Sequence, residues 1–277
     1  MTDRSRVKTV TQVKSKQTCE NKRQALSQIK RIDWKSLDFR TANQKNFYRT
    51  IGRNDVSFCI GPAGCGKTYL ATHYALKNLA QGKYENMIIT KPLVEVDGEK
   101  LGFLPGDIDE KTAPYMMSLY YNMEQIIGKE RLEVLKETGV VKVIPLAYMR
   151  GLTITDSIVV LDEAQNATTS QIKTFLTRIG QGSKFIINGD LMQSDIRATN
   201  GLDDSVKRFT GLSRVGFSQF DLEDVVRHPI VGELLARYQD DYELGALSAE
   251  ETLSMWLEKQ EYDEPKATSK FFYKIRN

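Results

Sequence analysis

The run "GPAGCGKT", Gly61–Thr68, constrains this chain more than any other stretch. An apolar, β-prone segment, "VSFCI" (56–60), stops directly at its first glycine. An amphipathic segment, "YLATHYALKNLAQG", begins where it ends, with Ala71, Ala75 and Leu79 on one stripe and Gly82 as a stop signal. A strand, a glycine loop and a helix in that order aim a strand end and a helix N-terminus at one point. The pattern G-x-x-x-x-G-K-[ST] is matched in full by Gly61, Gly66, Lys67 and Thr68. Glycines let backbone N–H groups turn inward around phosphate oxygens, and the helix N-terminus adds partial positive charge. The expected cradle runs through Gly61, Pro62, Ala63, Gly64, Cys65, Gly66, Lys67 and Thr68 to Tyr69. Lys67 is expected at the β- and γ-phosphates and Thr68 on Mg²⁺. Cys65 keeps two readings: a thiol sensitised by the helix N-terminus, or, more simply, a small filler.

Five further runs read as strands: "NMIITKP", "VVKVIPL" (140–146), "SIVVLDEAQ" (157–165), "KFIINGD" (184–190) and "SRVGFSQF" (213–220). Helical patterns lie between them. In "TTSQIKTFLTRIG", Thr168 and Gln171 fit a capping box and Ile172, Phe175, Leu176 and Ile179 form an apolar face closed by Gly180. "YMMSLYYNMEQIIG" reads as a helix, and "GEKLGFLPGD" before it as a loop. Pro229 suits a helix first turn, with Ile230, Val231, Leu234, Leu235 and Tyr238 as its stripe. Short apolar strands alternating with amphipathic helices predict an α/β fold, a mostly parallel sheet with helices on both faces.

Two strand ends carry the chemistry. "IVVLDEAQ" delivers Asp162 and Glu163 at a carboxyl end, where open α/β sheets bind ligands. Asp162 fits the Mg²⁺-side carboxylate and Glu163 a residue that orients and polarises attacking water. A kinase has no need of that second carboxylate; a hydrolase does. "IINGDLMQSD" delivers Asn188, Asp190 and Gln193, with Gln193 placed to sense a γ-phosphate.

Composition excludes other classes. The chain has 277 residues, enough for a substantial core. Mean hydropathy is -0.41, and no apolar run approaches the roughly 20 residues of a membrane span. The start, "MTDRSRVKTV", carries no secretory h-region. Cys19, Cys59 and Cys65 are too few and too irregular for a disulfide or zinc framework, so a cytoplasmic setting is expected. Net charge is +3, but residues 1–31 hold nine Lys/Arg against two acids, leaving −4 on the rest. Residues 1–33 are expected to be a basic, flexible arm, either a nucleic-acid-binding arm or a solvated tail. The domain is expected over 34–240, with a helix or tail over 241–277.

Taken together, "TANQKNFY", "GPAGCGKTYLA", "GEKLGFLPGD", "PLAYMRG", "LDEAQN", "FLTRIG", "NGDLMQSD" and "EDVVRHPIV" resemble, in that order, the PhoH family of ATPases. The resemblance implies a RecA-like core similar to one domain of superfamily 1 helicases, ATP and Mg²⁺ as ligands, and a role on RNA or single-stranded DNA. Gln44 looks like a Q-motif glutamine that reads adenine. Gln193 looks like a helicase motif III glutamine. Arg227 looks like a phosphate-sensing arginine, with Arg178 its rival. The family's "TRP" is "TKP" here, so Lys91 keeps the charge but loses the planar fork. Arg150 and Lys91 are the nucleic-acid candidates. One such core fits in 277 residues, so a helicase-like site implies a second copy. The expected assembly is a homo-oligomer, a head-to-tail ring with a hexamer by analogy.

Overall fold

The computed structural model describes residues 20–32, 34, 37–93, 108–193, 200–226 and 230. The chain divides into two compact units, Met1–His228 and Pro229–Asn277. The helix expected after Pro229, the tail over 241–277 and the loop "GEKLGFLPGD" lie outside the described residues.

Six strands form one sheet: β1 (Val56–Ile60), β2 (Asn86–Lys91), β3 (Val141–Pro145), β4 (Ser157–Leu161), β5 (Lys184–Gly189) and β6 (Val215–Gln219). Each lies within one of the six runs read as strands. Their order is β3-β2-β4-β5-β1-β6, and every pairing is parallel. β5 therefore stands between the loop strand β1 and the carboxylate strand β4. The register sets Ile60 beside Gly189 and Leu161 beside Ile187, so the three strands end within a few residues of one another.

The strands are apolar almost throughout because both faces are covered. Cys59, Ile89, Ile158, Val160 and Ile186 face one layer of helices. That layer contains α2 (Ala42–Arg53), α3 (Lys67–Ala80), α4 (Ile108–Ile127) and α5 (Lys129–Glu137). Phe58, Val159, Leu161, Phe185 and Ile187 face the other, containing α6 (Thr169–Leu176) and α7 (Gly201–Phe209). Phe175 packs on Phe185 with ring centroids 4.8 Å apart. Each fully buried large apolar side chain contributes about 1.5–3 kcal/mol relative to exposure.

The predicted capping box is present: Gln171 N–H donates to Thr168 Oγ1, and Thr168 N–H donates to Gln171 Oε1 at 2.8 Å. The expected flexible arm needs a correction. Residues 20–30 form a helix, α1, whose Ala25 and Ile29 are buried in the core. Its polar composition hid an apolar i, i+4 pair. α5 and α7 likewise lie beyond what the sequence pattern predicts, because each buries only two side chains, Leu132 and Leu135 in α5 and Leu202 and Ser205 in α7. α7 is held by local chemistry: Asn200 Oδ1 accepts from Leu202 and Asp203 N–H, and Lys207 and Arg208 pair with Asp203 and Asp204. Among the described residues, no helix is long and apolar enough to cross a membrane.

His73, on α3, is buried against Trp34, Tyr48 and Tyr69, with Tyr48 Oη 3.1 Å from its Nδ1. Burial, reinforced by the Lys77 charge one turn on, pushes its pKa from 6.5 down to about 4. The unfolded chain then binds the proton more readily, so stability is full above about pH 6.5 and is lost as pH falls toward about 4. Thermal midpoints measured across that window are expected to fall in the wild type and to fall less steeply in His73→Phe.

Candidate nucleotide site

β1 delivers the loop and α3 receives it. Gly61 N–H donates to Gly189 O at 3.1 Å, tying the loop to β5. Gly61 has φ +155°, and a Cβ there would lie 2.7 Å from the Phe220 carbonyl oxygen. Gly64 and Gly66 also have positive φ, at 91° and 84°. Only glycine adopts these turns cheaply, and they direct N–H groups into the cradle. Lys67 Nζ donates to Gly61 O at 2.6 Å and Pro62 O at 2.7 Å, curling back over the loop.

Thr68 Oγ1 donates to Asp162 Oδ1 at 2.7 Å, joining the first turn of α3 to the end of β4. Asp162 is buried, and its N–H donates to Thr90 O of β2. Burial first, then the Glu163 charge, pushes its carboxyl up to about 6. Among the described residues no cation forms an ion pair with it. A buried carboxylate beside a hydroxyl, with no ion-pair partner among the described residues, fits a divalent cation bound by oxygen ligands. Thr68 and Asp162 are the residues that would hold Mg²⁺.

A cleft of about 210 Å³ brings Lys67, Thr68, Asp162, Glu163, Asp190 and Gln193 together, as the sequence predicts, and adds Asn122 of α4. Nothing in the apolar pattern of α4 distinguished Asn122. Glu163 is exposed and has left-handed backbone, φ 53° and ψ 41°. Asp190 is buried, and its Oδ1 accepts from Met192 N–H at 3.0 Å. Asn188 is fully buried within the sheet instead of facing the cleft rim.

A second cleft, of about 420 Å³, lies beside the loop and is lined by Arg40, Gln44, Gly66, Tyr69 and Val226 among others. Gln44 donates through Nε2 to Cys65 O at 3.0 Å and accepts the Arg40 N–H at 2.9 Å. It fastens the loop as well as lining the pocket; an amide has a second N–H and a second lone pair for a base. Cys65 is buried with its Sγ donating to Pro62 O at 2.7 Å, and burial raises its pKa. That environment favours the filler reading over the sensitised thiol.

Arg178 is elsewhere. It follows α6 at the amino edge of the sheet, opposite the cleft. Its guanidinium donates to Thr174 O, Leu152 O and Thr177 Oγ1 of its own chain. Arg227 lies outside the described residues. Val226, just before it, donates its N–H to Gly64 O of the loop at 3.2 Å. Lys91 ends β2, and Arg150 is exposed beyond the short helical turn Leu146–Met149 that follows β3.

A parallel sheet with a third strand between loop strand and carboxylate strand, and a phosphate loop at its carboxyl edge, defines a P-loop nucleotide-binding protein of the RecA-like α/β class. Residues 36–239 match the family model described as PhoH-like protein, and the chain belongs to the PhoH family. It is 45% identical over 206 residues to the PhoH-like protein of Bacillus subtilis (strain 168), covering 74% of this chain and 64% of that one. It is 38% identical over 203 residues to Protein PhoH of Escherichia coli (strain K12), covering 72% and 57%. The match thus spans less than two thirds of each of these relatives. Among solved structures, the large terminase of a thermophilic bacteriophage superposes with TM-score 0.45 at 12% identity, over 73% of this chain and 50% of that one. The Pif1 helicase of Candida albicans superposes with TM-score 0.34 at 12% identity, over 67% and 40%.

Gly61 is confined by main chain as well as side chain, at Phe220. Gly61→Ala is expected to destabilise the fold by about 1–3 kcal/mol, because the methyl group meets Phe220 backbone that cannot swing away. Urea unfolding monitored by circular dichroism measures this.

Proposed function

We propose that this protein binds and hydrolyses ATP with Mg²⁺ in the cytoplasm, as a head-to-tail homo-oligomer acting on RNA or single-stranded DNA. The observation that carries the hydrolytic part is the convergence of Asp162 and Glu163 with Lys67 and Thr68 in one cleft. Lys67 neutralises phosphate charge, Thr68 and Asp162 hold the metal ion, and Glu163 polarises the attacking water. Gln193, which follows β5 and lines the same cleft, contacts the γ-phosphate and reports its presence. Gln44 and Tyr69 shape the pocket for an adenine base.

Charge supports the oligomer. Among the described residues, the cleft sets one cation, Lys67, against Asp162, Glu163 and Asp190. A γ-phosphate there gains from a second cation supplied by a neighbouring copy. Arg227 is the better choice for the phosphate-sensing arginine, since Arg178 is occupied by three oxygens of its own chain.

The carboxyl edge supports the nucleic-acid part. Lys91 is in register with Pro145, and the chain beyond Pro145 exposes Tyr148 and then Arg150. An exposed aromatic ring between cations suits a stacked base and its phosphates. The strand bearing Lys91 also accepts the Asp162 N–H, so this surface adjoins the metal carboxylate.

Glu163→Gln is expected to lower kcat for ATP by about 100-fold or more while ATP still binds. Normal turnover by that variant overturns the hydrolytic assignment. RNA or single-stranded DNA should raise the wild-type rate, with an effect that fades as salt rises. Tyr148→Ala with Arg150→Ala should abolish the stimulation and spare the basal rate. Absence of stimulation in the wild type favours the alternative, a nucleotide-gated assembly module with slow hydrolysis. Light scattering with Mg-ATP that finds only monomer during turnover overturns the oligomer.

A further inference from the structure

Gln165 sits on the helical turn Ala164–Asn166 just after β4 and is buried. Its Nε2 donates to Glu163 Oε2 at 2.6 Å, and its Oε1 accepts the Asp190 backbone N–H at 3.0 Å. These neighbours have opposite needs. An ionised carboxylate can only accept, and a backbone N–H can only donate. A carboxamide offers one of each, so the two bonds also fix which way round the amide lies.

Two further observations show that the arrangement is built around this side chain. Glu163 is held in a left-handed conformation that non-glycine residues adopt only when their surroundings enforce it. Gly189, at the end of β5, leaves room for Gln165: a Cβ there would lie 2.9 Å from Gln165 Oε1 and 2.5 Å from Leu202 Cδ2. Gln193 N–H donates to Asp190 O at 3.3 Å. The bonds therefore run from Glu163 through Gln165 and Asp190 to Gln193, from the end of β4 to the segment after β5.

We propose that Gln165 is a positioning residue that holds Glu163 for attack on water and links it to the segment bearing Gln193. This rests on the reading of Glu163 as the water-directing carboxylate. With Oε2 accepting from the amide, the plane of the carboxylate is fixed and Oε1 is presented to accept the water's hydrogen bond. Contact between Gln193 and a γ-phosphate moves the Asp190–Gln193 segment, and through Gln165 that movement re-aims Glu163. Hydrolysis is then conditional on a complete triphosphate even though Gln165 touches no part of it.

The test uses the full chain and Mg-ATP. Gln165→Glu is nearly isosteric and keeps an acceptor for Asp190 N–H, but replaces the donor to Glu163 with an acceptor. It should lower kcat about tenfold or more while the KM for ATP stays within about twofold, since positioning acts on the chemical step. Gln165→Ala should lower kcat similarly. Gln165→Glu placed in a Glu163→Gln background should cost no further rate in single-turnover assays, because the two residues act as one unit. The proposal is overturned if Gln165→Glu turns over within about twofold of wild type. It is equally overturned if KM rises in step with the loss of kcat, or if the two substitutions are additive. Normal turnover by Glu163→Gln alone instead removes the underlying reading of Glu163, so the two failures are distinct.

Discussion

The insertion of β5 between β1 and β4 is the constraint on which the rest of this molecule depends. Parallel strands in this register end at nearly one level, so the loop after β1 and the carboxylates after β4 face each other across the end of β5. That end is held on both sides, by Gly61 N–H on Gly189 O and by Asp190 N–H on Gln165 Oε1. If β1 and β4 were direct neighbours, the loop and Asp162 would have no strand end between them to carry Asp190 and Gln193. The apolar runs that make the sheet thus also set the width of the cleft.

Electrostatics of the cleft follow from its construction. Asp162 is drawn out of water by α3 and by its neighbours in the sheet, and the Thr68 hydroxyl offsets only part of that cost. Among the described residues of the cleft, three carboxylates and one lysine do not balance, and a magnesium nucleotide brings both signs of charge to such a site. Membership of the PhoH family is consistent with that chemistry, although the matched segment is only about three fifths of each relative.

Much of this was legible in the sequence because the relevant signals are local. Each strand is a short apolar run with its chemistry at its carboxyl end, and the Thr168–Gln171 box is a four-residue code. Lys67, Thr68, Asp162, Glu163 and Gln193 converge as their motifs predict. What stayed hidden depends on tertiary contacts. α1 looks like solvated arm until Ala25 and Ile29 meet the core. Arg178 looks like an available cation until its three acceptors are located. Gln165 and Asn122 carry no signature of their own: an amide just after a strand, and another within a helix, gain meaning only from what faces them.

Helix α2 joins distant parts of the molecule. At its start, Gln44 is bonded to the phosphate loop through Cys65 O. At its end, the ammonium of Lys184, the first residue of β5, donates to Ile51 O at 2.6 Å and to Asn54 O. Its 12 residues, at about 1.5 Å each, make a strut of about 18 Å between the two edges of the sheet. An axial shift of that strut must strain either the amide bond at the top or the ammonium bond at the bottom. The amino edge, far from any phosphate, is therefore mechanically part of the nucleotide pocket.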